Sequence, residues 1–228
     1  MTQSEVRYAK IRLGKYSDRK STVRRKDPKV RFEAVNKMKN KTRISVPLKG
    51  FGTDTSFIST TSDSAIRFLY ICGLVDLCSG FIFSPEVSTK NDKVLSLKSY
   101  ENTPLSLTAF VHSDHGSNLL CNDILELLKS KGAIVPLGRR GKSLDNREIE
   151  FTWGLYKRES LYKIPKNKRT LKVIEKDYKE WVYWHNYVKP RKYLNGLTPF
   201  EYMKKFLYRN KNIDAKYIIS ITTPSSLA

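Results

Sequence analysis

A chain of 228 residues with 39% hydrophobic content can bury one core of ordinary domain size and carry arms outside it. Its formal charge of +21 exceeds what solubility asks for and suits a polyanion, either nucleic acid or an acidic surface. No apolar stretch reaches the roughly 18 to 20 residues that span a bilayer, and the N-terminus is polar and basic, so neither membrane insertion nor a signal region is expected. The three cysteines Cys72, Cys78 and Cys121 are an odd number, and Cys72 lies in an apolar run. That usage argues against a secreted disulfide framework and for a reducing cytoplasm.

The charge is unevenly spread. Residues 1–50 hold 16 Lys/Arg against 4 Asp/Glu, and residues 155–228 hold 17 against 6, so a near-neutral centre lies between two basic arms. In chain order, residues 1–46 show no sustained apolar period and read as an arm or linker. Phe51 to Ile58 reads as a first strand, Phe68 to Val75 as a second, and Gly80 to Phe83 as a third after a turn at Asp76 to Gly80, which makes an antiparallel meander. Residues 89–101 have helical potential, and Leu107 to His112 reads as a buried strand. Leu119, Leu120, Ile124, Leu127 and Leu128 then recur at helical spacing until Gly132, followed by a short strand Ala133 to Leu137. A basic loop, Gly138 to Lys142, precedes a helix opening at Asp145 or Asn146. Downstream, Ile174, Tyr178, Trp181 and Val182 trace a helical stripe on which Trp181, Trp184 and His185 read as packing residues, and Thr198-Pro199-Phe200-Glu201 has the signature of a capping box. The order βββαβαβα implies an α/β fold: a mixed five-stranded sheet with helices on both faces and basic terminal extensions.

Three acids fall at suggestive places: Asp54 in the first strand, Asp114 just past the fourth, and Glu150 in the helix after the basic loop. Singly, each has an ordinary reading as a turn-former, a cap or a complement to a helix dipole. Together, a sheet of this order can set its first and fourth strands side by side with the helix across their ends. Converging carboxylates repel unless protons or cations lie between them, and hard oxygen ligands select Mg²⁺ or Mn²⁺. Two such ions about 3.5 to 4 Å apart suit an in-line phosphoryl displacement. Asp76 also follows an apolar strand, but Asp76-Leu77-Cys78-Ser79-Gly80 is good turn chemistry.

These residues carry a family resemblance. His112-Ser113-Asp114-His115-Gly116-Ser117-Asn118 resembles the second-aspartate motif of retroviral-type integrases and insertion-sequence transposases, and Asp145-Asn146 through Glu150 resembles their glutamate motif. The intervening 35 residues match the spacing of the D,D(35)E group. Gly52-Thr53-Asp54-Thr55, Leu69-Tyr70 through Gly80, Lys157 to Tyr162 and Asn195 to Tyr202 are similar to bacterial transposases of the IS-three group. The resemblance implies an RNase H-like catalytic core, here at residues 47–165, between a basic arm at 1–46 and a basic helical extension at 166–228. It implies metal-dependent strand cleavage and strand transfer, with Asp54, Asp114 and Glu150 as metal ligands and multimers assembled on DNA ends.

Lys157, seven positions after Glu150 and on the same helical face, resembles the integrase lysine that contacts DNA; a solvated lysine is the alternative. Asn118 and Asn146 resemble polar neighbours of the motifs and could position DNA, or could simply cap helices. Arg139, Arg140 and Lys142 sit in the loop beside the expected site, where they would neutralise phosphate. His112, His115 and Cys121 match no strong zinc spacing. Relatives of this kind carry a helix-turn-helix region ahead of the core, and no convincing pair of helices precedes Asp54. The expectation is a truncated or frame-split product, or end recognition supplied by a partner from an upstream reading frame. A DNA-binding remnant without catalysis and a simple metal-dependent nuclease are the other functions compatible with this pattern.

Overall fold

In the computed structural model, residues 44–63, 65–103, 105, 109–113, 121–133 and 147–209 are described. The first strand runs from residue 50 to 59 in two pieces, β1 (Gly50–Thr53) and β2 (Ser56–Ser59). Both pair antiparallel with β3 (Phe68–Asp76) in one continuous register, from Phe51 opposite Asp76 to Ser59 opposite Phe68. The predicted strand Phe51 to Ile58 is therefore one ladder broken at Asp54 and Thr55. β4 (Ile82–Ser88) pairs with the other edge of β3, and β5 (Phe110–Ser113) lies parallel to β1. The five segments thus fill four positions across the sheet, in the order β4, β3, β1 with β2, and β5. Of the predicted strand Ala133 to Leu137, Ala133 is not in a strand and the rest lies outside the described residues.

β4 runs on to Ser88, beyond the predicted Gly80 to Phe83, through Ser84-Pro85, where a proline disfavours regular pairing. The register shifts by one residue between Cys72 and Leu74, beside Ser84, which adopts a φ of 45°. The resulting bulge absorbs the proline and lets the ladder continue to Ser88.

Alternation along the strands sends Phe51, Leu74, Phe83 and Val111 to one face. There they form a core with Tyr100 of α1 (Lys93–Glu101), Ile124 and Leu128 of α2 (Asn122–Ser130), and Met203 and Leu207 of α5 (Pro199–Arg209). Asp92 caps α1 by accepting from the Val94 and Leu95 N–H groups, and Lys131 Nζ closes its other end by donating to the Tyr100, Glu101 and Thr103 carbonyls. α2 stops before Gly132, which takes a φ of 70°.

The opposite face carries α3 (Arg147–Glu159) and α4 (Leu171–Tyr187). Tyr156 of α3 stacks against both Tyr178 and Trp181 of α4. Asp177 accepts from the Tyr156 and Ser160 hydroxyls, which fixes the end of α3 to α4. Tyr178 Oη donates to the Cys72 carbonyl, and Asn186 both donates to and accepts from the Ile82 backbone, so α4 is hydrogen-bonded to β3 and β4. Trp181 and His185 are buried, as packing residues should be. Burial and the neighbouring Arg191 cation hold the imidazole of His185 well below its usual pKa, in the neutral form. The capping box at the start of α5 is formed: Thr198 N–H donates to the Glu201 carboxylate, and Glu201 N–H to the Thr198 hydroxyl.

Candidate active site

α3 approaches the sheet closely beside the break in the first strand. Gly52 and Asp54 share a strand face. A Cβ on Gly52 would overlap Ile149 Cδ1 of α3 and stand 2.9 Å from Ile149 Cγ1 and 3.0 Å from Leu77 Cδ2, so only glycine allows this approach. Two residues on, the Trp153 indole N–H donates to the Asp54 backbone carbonyl at 3.2 Å. That carbonyl lies in the stretch between β1 and β2, and the indole donates to it there. The Asp54 carboxylate is half-buried, and its Oδ1 accepts from the Thr55 N–H at 2.7 Å.

α3 presents Glu150, Trp153 and Lys157 at positions i, i+3 and i+7, along one face. Glu150 is exposed. Lys157 is half-buried; burial lowers its pKa and the charge of Asp54 opposes that shift, so the two groups act on one another electrostatically. The Lys157 ammonium also stands 5.2 Å from the centre of the Phe57 ring. Asp54, Trp153 and Lys157 are therefore assembled on the α3 face, with Glu150 one turn back along α3 and the Phe57 ring, from the other face, beside the Lys157 ammonium at the sheet edge.

β5 enters from the other side. Its parallel register ends with Ser113 opposite Thr53. In sequence, each of these residues is followed by an aspartate, Asp54 after Thr53 and Asp114 after Ser113. Asp114, Asn118, Arg139, Arg140, Lys142 and Asn146 lie outside the described residues. Among the described residues, no three His, Cys, Asp or Glu side chains gather as a metal site. The donor types at the break are nonetheless carboxylates, which fit a hard divalent cation better than a soft one. Cys72, by contrast, is sealed in the core, and burial pushes its thiol pKa up.

Asp76 behaves in the opposite way to Asp54. It is completely buried at the end of β3; its Oδ1 accepts from Leu48 N–H at 2.9 Å, and its Oδ2 accepts from the N–H of Ser79 at 2.8 Å and from the Ser79 hydroxyl. Both oxygens are used to tie the segment before β1 to the turn after β3. Burial nevertheless raises its pKa from 3.8 to about 6.

Sequence reasoning missed Trp153 and Phe57. Trp153 could have been found from its spacing to Glu150, which puts it on the face turned toward the sheet. Phe57 gives no such signal, because an aromatic residue in a strand ordinarily reads as core.

No protein-family model matches the chain. It is 25% identical over 168 residues to an uncharacterized 31 kDa protein of insertion element IS600 from Shigella sonnei, a match covering 71% of this chain and 59% of that one. A chain of the simian T-cell lymphotropic virus intasome, solved with the PP2A regulatory subunit B56 gamma, superposes with a TM-score of 0.59 at 12% identity, over 72% of this chain and 57% of the other. The HTLV-2 integrase catalytic core domain, solved in complex with magnesium, gives 0.51 at 14% identity, over 69% and 96%. The BIV integrase catalytic core gives 0.50 at 15% identity, over 71% and 97%. The chain therefore spans under two thirds of the insertion-element protein and of the intasome chain, and nearly the whole of the isolated cores. No helix among the described residues is long and apolar enough to cross a membrane. In its fold the chain is similar to retroviral integrase catalytic cores, and its curated relative is a protein of an insertion element.

Proposed function

We propose that the chain is the catalytic core of a DNA transposase or integrase that cuts and joins strands by metal-dependent in-line phosphoryl transfer. The observation that carries this reading is the end-to-end register of β1 and β5, Thr53 opposite Ser113, because each strand is followed by an aspartate and α3 is pinned to the first of them through Trp153. In the proposal, Asp54, Asp114 and Glu150 hold Mg²⁺ or Mn²⁺. When bound, such ions stabilise the attacking and leaving oxygens of the displacement.

The remaining roles fall to the chain's own groups. Lys157, half-buried beside Asp54, donates to a phosphate oxygen of the strand being cut and so fixes its position. Arg139, Arg140 and Lys142 neutralise phosphates along the same strand, and Asn118 and Asn146 orient it. The close contact at Gly52 sets how far α3, and with it Glu150, stands from the sheet. The catalytic segment 47–165 rests on α4 and α5 of the segment 166–228, which pack on the two faces of its sheet, and residues 1–46 together with the basic side chains of 166–228 hold DNA. Water is the nucleophile for cleavage and the freed 3′-hydroxyl for joining, on a homo-oligomer assembled at the DNA ends. A partner made from an upstream reading frame supplies end recognition.

The test is a cleavage and joining assay on DNA carrying the element's terminal repeats, with Mg²⁺ or Mn²⁺, using this chain and an N-terminally extended form. Cut and joined products that vanish in Asp54→Asn, Asp114→Asn and Glu150→Gln, while salt-sensitive DNA binding persists, support the proposal. Absence of metal-dependent products from both forms sinks the enzymatic reading and leaves a DNA-binding protein. Cut products that are never joined reduce it to a nuclease.

A further inference from the structure

The same strand break leads to a surface that the catalytic proposal does not use. Beyond Asp54 and Thr55 the ladder continues as β2, but β5 pairs only with β1, so among the described residues no strand covers the outer edge of β2. On the face shared with α1, Phe57 lies directly opposite Tyr70, with Phe68 diagonal to it. Phe57 is 60% exposed and Phe68 is 42% exposed, and the two rings meet edge to face with centres 5.6 Å apart. Tyr70 is only partly covered, where it packs against Cys72 and Leu95.

Folding does not explain this arrangement. Two phenylalanines left partly in water each forfeit a share of the roughly 1.5–3 kcal/mol that full burial would contribute. A contiguous exposed aromatic patch on a strand surface marks a binding site more often than chance.

Its surroundings identify the partner. The Lys157 ammonium stands 5.2 Å from the centre of the Phe57 ring and feels the charge of Asp54. An open groove of about 430 Å³ continues from Phe68 and Tyr70 past Ala65, Ile66 and Arg67 to Thr89 and Lys90. The nearest acid in the loop, Asp63, already accepts from the Ala65 N–H. Exposed rings flanked by Lys157, Arg67 and Lys90 offer π-faces for bases and cations for the phosphates between them. That combination is what binds unpaired nucleic acid without regard to sequence. A protein partner would need an acidic aromatic-binding segment, whereas a single DNA strand supplies both features in every nucleotide.

We propose that Phe57 and Phe68 form a stacking platform for unpaired nucleotides of the DNA strand whose phosphate is held at Asp54 and Lys157. This rests on the proposed function, and it adds a preference for frayed or single-stranded ends over blunt duplex. Lys157 would join the two sites, with its ammonium between the ring and the reacting phosphate.

The experiment measures binding of the full chain to a blunt duplex and to the same duplex with a three-nucleotide single-stranded tail bearing 2-aminopurine. The expected result is tighter binding of the tailed duplex with quenched 2-aminopurine fluorescence. Phe57→Ala and Phe68→Ala should each weaken tailed binding roughly 5- to 100-fold, with little change for blunt duplex, and the slope of affinity against salt should stay the same because no phosphate contact is lost. Phe57→Trp should restore both affinity and quenching, which a mere folding defect in the alanine variant would not predict. Equal binding of tailed and blunt DNA by the parent chain, or tailed binding unchanged in both alanine variants, overturns the platform and leaves the catalytic proposal standing. Self-association of the parent chain that is lost in Phe57→Ala, without an effect on tailed binding, would instead make the patch an interface between copies. Failure to bind any DNA would remove the catalytic proposal and the platform together.

Discussion

Asp54 and Asp76 belong to the same antiparallel ladder, Asp76 opposite Phe51 at its end and Asp54 three residues after Phe51, yet their surroundings have little in common. Asp76 is sealed, with Leu48 and Ser79 donating to both of its oxygens. Asp54 is half-open, sits where the ladder lapses, and is approached by a helix carrying Glu150 and Lys157. Both acids follow buried strand residues, Thr53 and Val75. What separates them is exposure: Asp76 is completely buried and bonded at both oxygens, whereas Asp54 is only half-buried. A sealed acid serves architecture, and a half-open one is within reach of a ligand.

The comparison can be broken most decisively at Asp54. On the proposed function, Asp54→Asn should lower strand transfer on the order of 10³-fold. Its melting transition should move little, because the amide oxygen can still accept from Thr55 N–H. A loss of activity matched by a loss of stability would mean that Asp54, too, is architectural. Asp76→Ala should do the reverse. It strands the Leu48 and Ser79 N–H groups in the interior, at about 1–3 kcal/mol for each, so urea unfolding should show a loss of roughly 3 kcal/mol or more. DNA binding measured well below the unfolding midpoint should remain.

The raised pKa of Asp76 gives a finer test. A carboxyl with a pKa of about 6 when folded and near 3.8 when unfolded binds its proton more tightly in the folded state. Its contribution to stability is therefore fullest below about pH 4 and is lost as pH rises through about 6, by an amount on the order of 2–3 kcal/mol. Other acids titrate in the same window, so the quantity to measure is the difference between the parent chain and Asp76→Asn in urea unfolding from pH 4 to pH 7.5. That difference should change in this direction across the window. A flat difference would show that the hydrogen bonds from Leu48 and Ser79 fully offset the desolvation of the charge.

How much of this was legible in the sequence follows from the range of each interaction. The Asp76 turn and the Thr198 capping box could be read directly, since both depend on residue types a few positions apart. The helix with Trp181 and His185 was legible from its apolar stripe. The break at Asp54 was not, because β-prone residues lie on both sides of it, Phe51 and Thr53 before and Phe57 and Ile58 after, and the donor that meets the Asp54 carbonyl there, Trp153, arrives 99 residues later. β4 was read too short for a related reason: the Ser84-Pro85 pair forbids regular pairing, but a bulge accommodates it, and the hydroxyl of Ser99 on α1 donates to the Ser84 carbonyl there. Phe57 and Phe68 were invisible as surface residues, since strand alternation assigns a residue to a face but does not say whether a helix covers that face.

Two smaller effects probe how α3 is held at the break. Gly52→Ala introduces a methyl group into space occupied by Ile149 and Leu77, and the strand cannot retreat because β3 and β5 pair with it on both sides. The helix must yield instead, at a cost of about 1–3 kcal/mol, and the second substitution Ile149→Val should recover part of the loss. Trp153→Phe keeps an aromatic ring against Tyr178 but removes the N–H donated to the Asp54 carbonyl and part of the buried ring volume. Stability should fall by about 1–3 kcal/mol. If that bond does no more than satisfy an acceptor, strand transfer should be unaffected beyond the change in stability. If it fixes the distance from Glu150 to Asp54, as the helix-face spacing implies, strand transfer should fall several-fold further and higher Mn²⁺ should restore part of it. Titrating metal against both variants separates the two: Gly52→Ala displaces the whole helix and should raise the metal requirement at least as much as Trp153→Phe, so a larger shift in the tryptophan variant would argue against the indole acting through the position of α3.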